Sequence, residues 1–231
     1  MRAAVLAVVM FGAAGCTGDL DPPWQLAHAR IVAVRATPPA IESGARADVD
    51  ALVSDVEGVT SEQPPELATV ISPTSLASAL TTEGGRWIVT APDEPALAAA
   101  RIELGLPPGV PVPLRVGVAY GGQTLAALKT VWLGMTAENP TLSEITIDGA
   151  PLDAISEIVV PKLVDVRFSI AAFEDDDINW LTSVGDMHDF DLPQSYLRVE
   201  ADADPLVGSF AVVRRDIAGG VVWRVWPIRV E

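Results

Sequence analysis

The chain has 231 residues, with 31 Asp and Glu against 15 Lys and Arg, giving a formal net charge of −16. That balance disfavours nucleic acid, whose binding runs on Lys and Arg neutralising phosphate, and it disfavours docking to anionic lipid headgroups. One cysteine allows no internal disulfide, so the fold must hold by packing, while cationic partners and divalent metals stay open.

In chain order, the first feature is a basic start at Met1-Arg2, an uncharged run from Ala3 to Phe11, and the small residues Gly12-Ala13-Ala14-Gly15. These are the marks of a cleaved export signal over residues 1–15. The apolar run is too short to span a bilayer, which takes roughly 20 residues. Cys16 stands at the exit, where lipid attachment is the expected use of a lone thiol. Ala13-Ala14-Gly15-Cys16 resembles the lipobox of bacterial lipoproteins, with Ala13 in the place usually taken by Leu. The resemblance implies acylation of Cys16 by three chains, enough for stable anchoring. Thr17, where Asp would imply retention at the inner membrane, implies the outer membrane. Residues 16–30 are rich in turn formers and predict a tether, with Trp24 and Leu26 the first side chains to dock on the folded body.

From residue 31 the pattern is β. Val32, Val34 and Ala36 alternate with Ala33 and Arg35 before Pro38-Pro39. Val49, Ala51 and Val53 alternate with acidic neighbours. Residues 54–82 read as loop-rich. Arg86–Thr90 predicts a strand and Glu94–Leu104 a short helix. Leu114–Tyr120, the Gly121-Gly122 turn and Leu125–Leu133 predict a hairpin. A second unit opens near Asn139-Pro140. Ile145 and Ile147 precede an Asp148-Gly149 turn, and Val164–Ala172 alternates cleanly. Trp180 sits in the strand-like 178–183, Tyr196–Glu200 is short, and Phe210–Arg215 and Val221–Val230 flank a glycine-containing loop. Short strands at intervals of roughly ten residues predict an all-β chain of two immunoglobulin-like β-sandwich domains in tandem, over 31–136 and 138–231. Lys129-Thr130-Val131-Trp132 and Arg224-Val225-Trp226 close the two halves alike and suggest a duplication.

Ala33-Val34-Arg35-Ala36-Thr37-Pro38-Pro39 with Gly44 and Asp50–Val53 resembles the opening of uncharacterised Gram-negative lipoproteins. Glu138-Asn139-Pro140-Thr141 with Asp148-Gly149 resembles the start of their second domain. Val212–Asp216, Gly219-Gly220 and Val222-Trp223 resemble its closing hairpin. The resemblance implies tandem immunoglobulin-like domains on a lipid anchor and transfers no catalytic residue. Arg215 is an insertion into its usual single-arginine pattern, with a register shift the expected consequence.

Candidate chemistry is sparse. His28 and His188 are the only histidines, and no Gly-x-Ser-x-Gly, Ser-x-x-Lys, His-Glu-x-x-His or phosphate-cradling loop is present. Asp175, Asp176 and Asp177, with Asp186 and Asp189 beyond them, offer the oxygen ligands that calcium takes, against the plainer use of a solvated acidic loop. His188 with Asp186 is a thin transition-metal candidate. Trp223 and Trp226 fall on opposite faces of one strand, which predicts that at least one is exposed and able to stack on a sugar or a protein. The reading at this level is a lipid-anchored envelope protein, outer-membrane and non-catalytic, with an envelope protein or glycan as partner and no nucleic acid. The alternatives are calcium-dependent adhesion or carbohydrate binding, and a carboxylate-based hydrolase.

Overall fold

The computed structural model describes residues 21–231, so the signal and Cys16 lie outside the described residues. Domain 1 contains β1 (Arg30–Thr37), β2 (Ala40–Ile41), β3 (Arg46–Ser54), β4 (Thr60–Gln63), β5 (Leu67–Ser72), β6 (Leu80–Glu83), β7 (Arg86–Thr90), α1 (Glu94–Leu104), β8 (Val112–Tyr120) and β9 (Leu125–Leu133). One sheet runs β1-β3-β7-β6 with β4 beside β3, and the other runs β2-β9-β8-β5. The first strand is split at Pro38-Pro39, so that β1 pairs antiparallel with β3 and β2 pairs parallel with β9 in the opposite sheet.

Domain 2 repeats this plan with β10 (Ile145–Ile147), β11 (Ala150–Pro151), β12 (Ile158–Val160), β13 (Val166–Ile170), β14 (Asp177–Thr182), β15 (Asp186–His188), β16 (Gln194–Arg198), β17 (Val207–Arg215) and β18 (Val221–Val230). Its sheets run β11-β10-β13-β16-β15 and β12-β18-β17-β14, and β12 again runs parallel to the last strand. Both halves therefore carry the strand order of immunoglobulin-like sandwiches. The Val-Trp pair shared by the last strands is not an equivalence. Trp226 is a core residue, whereas Trp132 points outward beside Gly219. Arg215 causes no slip, for β17 and β18 pair in unbroken register from Val207 to Arg215.

Each sandwich has its own core. In domain 2, Phe168, Trp180, Phe210 and Trp226 form a connected aromatic cluster, with Phe168 and Phe210 stacked 4.3 Å apart. The two indole N–H groups donate to Leu192 and Asp153 carbonyls, so burying these rings strands no polar atom. Domain 1 packs aliphatic residues around Tyr120, and α1 joins β7 to β8, capped by Asp93 and closed by Gly105 at φ +67°.

The domains are not beads on a string. The outer face of β14, β17 and β18 lies on the outer face of β1 and β3, and Leu26, Val32, Ala33, Leu52, Leu181, Val213 and Trp223 make a third buried cluster between them. A β-bulge between Ile31 and Ala33 lets consecutive residues Val32 and Ala33 both serve this cluster. Within the expected tether, Trp24 and Leu26 dock on the folded body as anticipated. Leu26 is fully buried, its N–H donates to Thr182, and its carbonyl accepts from the Ser54 hydroxyl of the other domain. Asn139 ties the seam a second time, donating to the Ala36 carbonyl and accepting from the Val221 N–H.

Lys129 is a buried cation on this seam, donating to the Gly219 carbonyl at 2.6 Å. Burial, and then Arg215, push its pKa down from 10.5 to about 8, against the pull of Asp216 and Asp50. The unfolded chain therefore binds more protons between those values, so stability rises with pH across that window, by about 3 kcal/mol. Below it both states are charged and the cost is fully present. Urea unfolding between pH 8 and 10.5 should show this rise in the native chain and lose it in Lys129→Met; equal pH dependence in both would refute the burial.

Candidate functional site

The sequence-predicted site residues are not brought together. Asp175, Asp176 and Asp177 lie at the entry to β14, whereas Asp186 opens and Asp189 follows β15 in the opposite sheet. Among the described residues no three His, Cys, Asp or Glu side chains converge on a possible metal position. The calcium expectation is corrected by what these carboxylates do instead. Asp176 is buried against Arg214 at 2.7 Å and accepts the Phe173 N–H, which closes the 173–176 turn. Asp177 pairs with Arg215 at 3.4 Å. Asp186 is exposed opposite Arg198, and Asp189 sits in a turn at φ +54°.

His188 is stacked flat on Tyr196, with centroids 4.4 Å apart. His28 lies on the N-terminal strap near Asp21, so the two histidines belong to separate elements.

The exposed-tryptophan expectation is also corrected. Trp226 is 0% and Trp223 6% exposed. They do point to opposite faces of β18, as their spacing requires, but both faces are covered: one by the core of domain 2, the other by domain 1. Trp223 donates to Glu62 at 2.6 Å and lies under the Arg35 guanidinium at 3.9 Å. Arg35 in turn holds Asp50 with two hydrogen bonds. Arg214 and Arg215 are likewise structural: Arg214 faces Asp176 and the Thr141 carbonyl, and Arg215 donates to the Val32 carbonyl across the seam.

The seam takes the outer face of β14, β17 and β18 and the β1/β3 part of its counterpart, leaving one sheet face of each domain clear of it. The outer face of the β10-β13-β16-β15 sheet is a shallow, open concavity of about 720 Å³ with Thr146, Arg167, Ser169, Gln194 and Tyr196 on it. Its Asp148 accepts the Arg167 backbone N–H and its Asp165 pairs with Arg198 at 3.0 Å, so these carboxylates are engaged.

The outer face of β5, β8 and β9 differs in kind. Its rows, read across the strands, are Leu67–Ala119–Ala126 and Thr69–Gly117–Leu128, with Ile71 reaching over Gly117 from a bulge in β5. The small residues form the floor of a trough of about 520 Å³, with Leu67 and Ile71 on one bank and Leu128 on the other. Leu67, Ile71 and Leu128 are 44%, 49% and 66% exposed. Arg115 is the only charged residue among the outward positions of these strands. We take this contiguous apolar face as the candidate site.

Sequence reasoning missed it because β5 is invisible to a period of two. Leu67, Ala68, Val70 and Ile71 are apolar on both faces, with Pro64-Pro65 before them and Pro73 after. The run of β-branched Thr69-Val70-Ile71 was the available signal.

The strand order defines the class of protein: tandem immunoglobulin-like sandwiches. No protein-family pattern matches the chain, and no curated protein does. Among solved structures it is similar to the N-terminal Ig1-2 module of the Drosophila receptor protein tyrosine phosphatase DLAR, at 13% identity over 88% of this chain and 99% of that one, with a TM-score of 0.31. Murine CEACAM1b matches at 9% identity over 86% and 100%, with a TM-score of 0.28. Drosophila N-cadherin EC1-4 matches at 13% identity over 87% of this chain and 49% of that one, with a TM-score of 0.26.

Asp176 is a structural residue on this account, and its removal leaves the Arg214 charge buried without its counterion. Asp176→Ala should lower unfolding stability by about 3–5 kcal/mol. Urea denaturation measures this, and a loss under about 1 kcal/mol, the value of an exposed pair, would return Asp176 to the list of available ligands.

Proposed function

We propose that this chain is a non-catalytic binding protein of the Gram-negative cell envelope, moored to the outer membrane by lipid on Cys16 and docking through the apolar trough of β5, β8 and β9. The observation that carries this reading is the trough itself. Contiguous apolar surface on a sheet face costs solubility unless something covers it, and such patches mark interaction sites. The polar surroundings of Cys16 beyond residue 17 and the small-residue run before it support the anchor.

The carbohydrate alternative loses its exposed tryptophan, and the calcium alternative loses its convergent ligands. The hydrolase alternative gains no support, since Asp148 and Asp165 in the polar concavity each serve a structural partner.

The reading is checked in cells with the full chain. A photo-crosslinking residue in place of Leu128 or Leu67 should give covalent adducts, and one in place of Arg167 on the polar face of domain 2 should not. Absence of adducts at both apolar positions sinks the docking site. In the same cells Cys16→Ser should move the chain from the membrane pellet to the soluble fraction; retention in the pellet would remove the lipid anchor.

A further inference from the structure

We infer that the occupant of the trough is a second copy of this chain, joined face to face about a two-fold axis. This rests on the reading of the β5-β8-β9 face as the docking surface and names its partner.

Charge is the first argument. Two copies with a net charge of −16 each repel strongly, and they can meet closely only where neither presents carboxylates. The outward positions of β5, β8 and β9 carry none, and Arg115 is their one charge. The free sheet face of domain 2 carries Asp148, Asp165 and Asp189 and does not meet this condition. A foreign partner of ordinary or basic charge would not require an acid-free face. An acidic chain meeting itself does.

Shape is the second argument. A two-fold interface uses one patch against itself, so the patch must hold both a projection and the hollow that receives it. This face holds both. Leu128 projects from β9, and across the ladder from it Gly117 gives its space to Ile71, whose side chain roofs it. Ala119 and Ala126 form the hollow along the next row. Under the two-fold, each Leu128 enters the partner's Ala119–Ala126 hollow, beside the partner's Leu67.

The third argument is internal. The topologically equivalent face of domain 2, made by β14, β17 and β18, is covered by a flat sheet face from the other sandwich. The equivalent sheet of domain 2 therefore already takes a sheet as its cover in each chain. Three short strands offer an interface in the small class, below about 1,200 Å² in total, so the dimer is weak and concentration-dependent.

The test uses two differently tagged full-length copies expressed in the same cells, with co-purification as the readout. Native copies should co-purify, Leu128→Asp in both should reduce recovery at least tenfold, and Arg167→Glu in both should leave it unchanged. Leu128 is exposed, so the melting temperature of Leu128→Asp should match that of the native chain. Crosslinking from position 128 should give an adduct in which both peptides come from this chain. Adducts at 128 to a different protein, without co-purification of tagged copies, overturn the second copy and leave the docking surface standing. No adduct of any kind at 128 or at 67 ends both. Co-purification that survives Leu128→Asp overturns the assignment to this face.

Discussion

The structure depends on a buried seam in which one sandwich uses the outer face of β14, β17 and β18 as though it were core. Trp223 shows how this is achieved. Its ring is covered by the Arg35 guanidinium, its N–H is taken by Glu62, and Arg35 is neutralised by Asp50. Each polar group brought into the seam brings or finds its partner, which is the condition for burying it without a net penalty. Leu26 and Asn139 then tie the connections at both ends of domain 1 into the same joint. Domains in tandem ordinarily move relative to one another unless their interface is large and apolar. This one is apolar at its centre and hydrogen-bonded at its rim.

Much of the fold was legible. Alternation placed β1, β3, β8 and β13, turn signals placed β9, β17 and β18 as hairpin partners, and helix propensity placed α1. The two-residue strands β2 and β11 and the three-residue β12 were not, because so short a stretch has no period to read. β5 was lost because it is apolar on both faces. The seam was lost for a related reason. A period of two divides residues between faces but does not say what covers each face, so Trp223 read as exposed when the second sandwich covers it. The acidic loops misled in the opposite direction. Composition counted their carboxylates, and only tertiary structure could show that Asp176 is consumed by Arg214 and Asp177 by Arg215.

The same accounting explains the unusual arginines. In a strongly acidic chain a solvated arginine is easily spared from pairing, yet Arg35, Arg214 and Arg215 all sit at or near the domain joint. Guanidinium suits this place, because it stays charged, stacks on rings and hydrogen-bonds in several directions at once. Burial lowers the pKa of Arg215, and Asp177 opposes that shift. Lys129 has the same location with less support, a single carbonyl at 2.6 Å, and it is the member of the group whose protonation gives way within an accessible pH range.

Four outer sheet faces exist in two sandwiches, and their chemistry divides unequally. Two meet in part, through Val32, Ala33 and Leu52 of one and Leu181, Val213 and Trp223 of the other, while Arg46, Asp48, Glu83 and Arg86 stay open at the far side of the first. The third, in domain 2, is polar and hydrogen-bonded within itself. The fourth, in domain 1, has the composition of a buried face and lies open. Selection for solubility would place a carboxylate at Ala126 or Thr69 at almost no cost in stability, since both side chains point to water. An acid-free, open sheet face on a chain of net charge −16 is the feature on which the docking proposal rests. Under the proposed lipid anchor a small interface would suffice, because copies confined to one surface meet at an effective concentration far above their bulk value. The proposed pairing would then be weak in solution and useful at the membrane through the same three strands.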